Sequence, residues 1–120
     1  MNAPRHPTVV RRRRDSRLAE LASVGPFVNA RLSLVEVKCG EPTCHCATGK
    51  GHPAQYLIFM QGRKTRSRYV QKDRLGEARE WVREYKRLKR LIREISDLTL
   101  ELLASDAYVR RQQKRRRQRS

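Results

Sequence analysis

Aromatic side chains make up only 6% of the 120 residues, with a single tryptophan and two phenylalanines. A chain this short and this poor in large rings can bury one modest core and nothing larger. Acidic residues are the next shortage: 12 Asp plus Glu stand against 29 Lys plus Arg, a formal net charge of +17. That imbalance strains a compact monomer by self-repulsion, and a polyanionic partner would relieve it. No stretch approaches the ~20 apolar residues of a membrane span. The opening Met1-Asn2-Ala3-Pro4-Arg5-His6-Pro7 runs into arginines, not into a hydrophobic signal region. The expected location is therefore cytoplasmic, with no membrane partner. Cysteine is scarce too. Three cannot all pair within one chain, and their confinement to eight consecutive positions suits a metal loop in a reducing compartment better than a disulfide framework.

The positive charge sits mostly at the ends. Residues 1–17 hold six arginines and one acid, residues 110–120 hold seven Lys plus Arg and no acid, and the middle keeps only +5. The expected organisation is a disordered basic arm over 1–14, a single zinc-loop domain over 15–104 and a basic tail over 105–120.

Within the middle, Asp15 and Ser16 are positioned to cap a short helix carrying Leu18, Leu21 and Ala22, which the Gly25-Pro26 pair would stop. From Arg31 to Cys39 alternation and β-branched residues predict a strand, with further strands at Gln55–Met60 and Thr65–Val70 joined by a turn at Gln61-Gly62-Arg63-Lys64. Beyond Asp73, a plausible N-cap, a helix over 73–104 places Ala78, Trp81, Tyr85, Leu88, Ile92, Ile95, Thr99 and Leu102 on one stripe, alternately three and four residues apart. Leu91, Leu98 and Leu103 widen that stripe, so one part of the helix should cover the sheet and another should meet a second helix. The other side collects Arg79, Arg83, Lys86, Arg87, Arg90 and Arg93, with Glu80 and Glu84 spaced for local ion pairs. The fold class that results is α+β: a small three-stranded antiparallel sheet with a zinc-type loop, packed on a long C-terminal amphipathic helix, with a short N-terminal helix and disordered basic tails.

Between the first two strands lies Cys39-Gly40-Glu41-Pro42-Thr43-Cys44-His45-Cys46, followed by His52. Cys39, Cys44, Cys46 and His52 supply the four soft or borderline donors that tetrahedral Zn2+ prefers, and the glycines and Pro42 allow the sharp turns needed for convergence. His45 competes for the fourth position. An extended residue between two ligating cysteines points away from them, which favours His52. Three thiolates with a filled fourth site blunt Lewis acidity and leave no place for water, so the zinc is expected to be structural and the chain not an enzyme. A deaminase-type His-x-Glu partner is also missing.

Lys38-Cys39-Gly40, Cys44-His45-Cys46-Ala47, His52, Arg63-Lys64-Thr65-Arg66-Ser67-Arg68-Tyr69-Val70 and Glu80-Trp81-Val82-Arg83-Glu84-Tyr85 together resemble an uncharacterised prokaryotic family. Its members are small basic proteins with a Cys-Gly-x-x-x-Cys-x-Cys-Ala loop, often near mobile-element genes. The resemblance covers about residues 30–104 and implies the same four metal ligands, because the family pattern commonly has a basic residue, not a ligand, at the position of His45. Here His52-Pro53-Ala54-Gln55-Tyr56 stands where the family tends toward His-Gly-Pro-Tyr, which alters the loop exit.

Function then follows from charge. Arg63, Lys64, Arg66 and Arg68 on the hairpin, with Arg11, Arg12, Arg13, Arg14, Arg115, Arg116 and Arg117 in the arms, are expected to neutralise phosphates of a nucleic acid, DNA ahead of RNA, with weak sequence selectivity. Tyr56 and Tyr69 would stack bases only if exposed, and ordinary core packing is the expectation for both. The alternative is a protein-interaction module in which the stripe through Trp81, Tyr85, Leu88, Ile92, Ile95 and Leu102 forms a homodimer or docks on a recombinase-like partner.

Overall fold

The structure, a computed structural model, describes residues 3–119. Helix α1 (Pro7–Ala22) leads into strands β1 (Arg31–Val37), β2 (His52–Gln61) and β3 (Lys64–Val70), and the chain finishes in helix α2 (Leu75–Arg119). The expected α+β class therefore holds, with its long C-terminal helix and a sheet of order β1-β2-β3. Both strand pairs are antiparallel, in the registers Leu32↔Leu57 and Leu57↔Arg68. Gly62 turns the β2–β3 hairpin at φ +64°, a conformation that a side chain would disfavour. Two compact units are present: Gly25–Lys86, and the chain before Gly25 together with the chain from Arg87 onward. Helix α2 contributes to each.

In the sheet unit Leu57, Val70 and Ala78 are buried, and Val28, Ala30, Leu32, Leu75, Trp81 and Val82 pack around them. The segment before β1 is held to α2 by three contacts. The Val28 N–H donates to the Trp81 carbonyl (3.2 Å), the Gly25 N–H donates to the Glu84 carboxylate (2.9 Å), and Phe27 stacks on Tyr85 with ring centroids 5.9 Å apart.

The helical unit departs from the expected arm. Arg11–Arg14 lie inside α1, which starts at Pro7 under a His6 cap whose Nδ1 accepts the Thr8 N–H (3.2 Å). Arginine is a good helix former, and acids on α2 meet arginines in and around the run: Arg5 pairs with Glu101, Arg11 with Asp106 at 3.4 Å, and Arg17 with Glu94 at 2.8 Å. Asp15 and Ser16, expected as caps, are consequently interior to the helix. The stop before Gly25-Pro26 is as expected, with Ser23 Oγ donating to the Glu20 carbonyl at 2.7 Å.

Two expectations about the long helix also change. Asp73 sits in a separate 3-10 turn, Lys72–Arg74, and α2 begins at Leu75. At the far end α2 continues to Arg119, so the residues expected as a disordered tail over 105–120 are helical as far as they are described; Ser120, and Met1 and Asn2 of the arm, lie outside the described residues. The less exposed residues of α2 in this unit include Leu88, Leu91, Ile95, Leu98, Leu102, Ser105 and Val109, and those of the N-terminal segment include Pro7, Val10, Arg14, Arg17, Leu21 and Val24. Leu91 and Val10 are 0% exposed, and Ser105 Oγ donates to the Arg5 carbonyl at 2.7 Å. The expected stripe passed through Ile92 and Thr99 instead. Ile92 is 54% exposed and Leu91 takes the seam, because a helix of 3.6 residues per turn drifts ~20° per heptad away from a strict 3.5-residue stripe.

Candidate metal centre

The last pair of the β1–β2 ladder is Val37↔His52, so Cys39 lies two residues past one strand and His52 opens the next. The intervening loop is folded by backbone bonds. Cys44 N–H donates to the Glu41 carbonyl (3.1 Å) across a turn containing Pro42, and Cys44 then caps a 3-10 turn, His45–Ala47, where Ala47 N–H donates to the Cys44 carbonyl (3.0 Å). The Lys38 ammonium straps the loop by donating to the carbonyls of Gly49 (3.2 Å) and Ala47 (3.5 Å). Two glycines are required. Gly40 has φ +85°, and a Cβ on Gly51 would lie 2.8 Å from the Val37 nitrogen, so only glycine lets the strand bearing His52 come this close to β1.

This arrangement brings together all four residues chosen from the spacing. The donor atoms of Cys39, Cys44, Cys46 and His52 lie within 4.8 Å of one another. Cys39 Sγ is 3.4 Å from Cys46 Sγ, and Cys44 Sγ is 3.2 Å from His52 Nε2. The thiols are free. In a tetrahedron with metal–sulfur bonds of ~2.3 Å and a metal–nitrogen bond of ~2.0 Å, donors are separated by roughly 3.5–3.8 Å, so adjustments of no more than about 1.3 Å close the group on an ion. The four residues can therefore hold a metal ion. Cys46 is buried and its Sγ accepts the Cys39 N–H (3.5 Å), while Cys44 and His52 are half-buried and Cys39 is exposed. His45 is outside the donor group: it is exposed, its Nδ1 stands 3.9 Å from Cys44 Sγ, and its ring meets His52 edge-on at 5.3 Å.

The basic residues expected to meet phosphates fall into two groups. In the sheet unit, Arg63 occupies the hairpin turn and Lys64, Arg66 and Arg68 alternate along β3; all four are exposed and make no ion pair among the described residues. In the helical unit Arg11 is paired with Asp106 and Arg14 approaches Asp15 (3.6 Å), whereas Arg12, Arg13, Arg115, Arg116 and Arg117 are exposed. The charged side of α2 carries a local pair read from spacing, Arg83 with Glu80 (2.8 Å), and one that was not, Arg90 with Glu94 (3.8 Å). Trp81 joins the sheet core, Tyr85 stacks on Phe27, and Leu88, Ile95 and Leu102 are half-buried in the helical unit. Tyr69 departs from expectation: it is 56% exposed, on an edge strand. Strand parity alone could have separated it from Val70, which turns into the core.

No helix among the described residues is long and apolar enough to cross a membrane. Among known families, residues 8–84 match one described as a domain of unknown function (DUF6788). The matched region starts earlier than the resemblance suggested, taking in α1 and its arginines, and ends inside α2. No curated protein and no solved structure matches the chain.

Proposed function

We propose, on the premise that this chain belongs to the DUF6788 family of domains of unknown function, that it is a non-enzymatic nucleic-acid-binding protein stapled by a structural zinc ion. The observation that carries the reading is the row Lys64, Arg66, Arg68 with Arg63 beside it, four exposed cations without ion-pair partners among the described residues. Residues two apart on a strand are ~6.8 Å apart on one side, a spacing comparable to that of successive phosphates along an extended strand. Zinc is the ion of choice because three thiolates and an imidazole in a closed four-donor group suit it better than harder cations. With every donor position filled by protein, the ion ties β1 to β2 and leaves no water to activate. Arg12, Arg13 and Arg115–Arg117 add to the attraction from the helical unit. DNA stands ahead of RNA because the mobile-element setting implied by the family resemblance is a DNA setting.

Titration of the metal-loaded chain with DNA and RNA at rising salt tests this. The logarithm of the affinity should fall with log salt by ~0.7–0.9 per neutralised phosphate, and replacing Arg63, Lys64, Arg66 and Arg68 with glutamine should flatten the slope by about 3. Absent binding in dilute buffer, or binding indifferent to salt, overturns the proposal. A second reading, pairing with another copy or an adaptor role, draws on exposed Ile92, Leu100 and Leu103 on α2. It requires the sedimenting mass to fall when Ile92 and Leu103 are made glutamate.

A further inference from the structure

We infer that the sheet surface opposite its core is a stacking platform for unpaired bases, so that the chain recognises single-stranded nucleic acid by its bases as well as its phosphates. This rests on the nucleic-acid reading above and adds the form of the ligand.

The register divides the sheet cleanly. Gln55, Leu57 and Phe59 of β2 share one face with Val70, Arg68 and Arg66 of β3, and the core cluster lies on that face. The other face is built of cross-strand rows: Val35 with Ala54, Ser33 with Tyr56 and Tyr69, Arg31 with Ile58 and Ser67, and Met60 with Thr65. None of these residues belongs to the core cluster. Tyr69 is 56% exposed and Met60 63% exposed. Tyr56 and Tyr69 meet edge-on at 5.7 Å with 63° between their planes, so each supports the other's orientation before any ligand arrives. The neighbours of the two rings on this face include the short Ser33, Ser67 and Ala54.

Charge names the occupant. Between Glu41 and Asp73 the chain has no acidic residue, and the lone acid of the sheet, Glu36, pairs with Pro53 on the core side. The tyrosines are flanked by cations at both edges. Arg31 lies on the same face on β1, exposed and without an ion-pair partner among the described residues, and the exposed Lys64–Arg66–Arg68 row alternates with Tyr69 along the other edge strand, on the side of Leu57. A second copy of the chain would bring this positive surface against its own like. A single strand matches both features, since its unpaired bases offer π faces to the tyrosines while its phosphates meet the edges. In a duplex the base faces are already stacked, leaving only phosphates to bind.

The test is fluorescence anisotropy of the metal-loaded full chain with a labelled oligothymidylate of about 12 nucleotides, an abasic strand of the same length and a duplex, at one low salt concentration. The base-bearing strand should bind about 5- to 100-fold more tightly than the abasic strand. Tyr69→Ala should abolish that difference and Tyr69→Phe should retain it, with circular dichroism and metal content unchanged in both. Equal affinity for base-bearing and abasic strands overturns the platform while phosphate binding stands; failure of every nucleic acid to bind overturns both readings. A change in sedimenting mass on Tyr69→Ala with oligonucleotide affinity unaltered assigns the face to another copy and also overturns it. The abasic comparison needs no variant, so it decides the matter even if Tyr69→Ala fails to fold.

Discussion

Changing Cys46 to serine isolates the metal from the rest of the fold. Cys46 is 1% exposed and its sulfur lies 3.4 Å from that of Cys39, so the substitution removes one donor from the centre of the group while nearly conserving volume. Structural zinc binding amounts to ~10–16 kcal/mol in small peptides; shared among four ligands, one thiolate contributes roughly 2.5–4 kcal/mol, or about 10²–10³-fold in affinity. Competition against a chelating indicator should show a loss of that size. With cobalt as a spectroscopic stand-in, the thiolate-to-metal absorption should drop from that of three sulfurs to that of two. His52→Ala should weaken binding comparably, whereas His45→Ala should not, because His45 lies outside the donor group. The affected structure is the loop and the adjoining Val37↔His52 end of the sheet, so helix content should hardly change on metal removal. Full metal affinity in Cys46→Ser, or equal losses from His45→Ala and His52→Ala, would refute the assignment of ligands.

Two further outcomes concern the helical unit. Leu91→Ala should cost ~2–5 kcal/mol of stability by opening a cavity, and Ile92→Ala should cost less than about 0.5 kcal/mol, both read from urea unfolding; the opposite order would restore the seam through Ile92. The hydrogen bonds from Arg5 hold the Glu101 carboxyl below its ordinary value, with desolvation opposing them and the Arg5 charge assisting. A lowered folded-state value means that this contribution is present above the unfolded pKa and disappears as pH falls through the folded one. Thermal unfolding should therefore show a shallower acid decline in Glu101→Gln than in the parent chain, and parallel acid limbs would count against the pair.

The candidate donor group was legible because its chemistry is local. Cys39, Cys44 and Cys46 lie within eight residues, and the nature of the donors limits what such a cluster can do. The strands were legible from alternation and the hairpin from Gly62. The N-terminal arginines were misread because a run of like charge looks unable to pack, and the acids that meet Arg17, Arg5 and Arg11, namely Glu94, Glu101 and Asp106, lie far along the chain. The exposure of Tyr69 was missed for a related reason: an aromatic residue beside a buried valine reads as core until the sheet shows which face is covered.

Residue type and spacing alone determined the donor set, the surplus of positive charge, the three strands and the existence of a long helix, since each depends on neighbours within a turn or a loop. Only the tertiary structure decided that Leu91 and not Ile92 lines the seam, and that Arg11 meets an acid while Arg66 meets none among the described residues. Those choices turn on which surfaces meet, and side-chain burial and charge pairing are settled by segments far apart in sequence, beyond the reach of any local pattern.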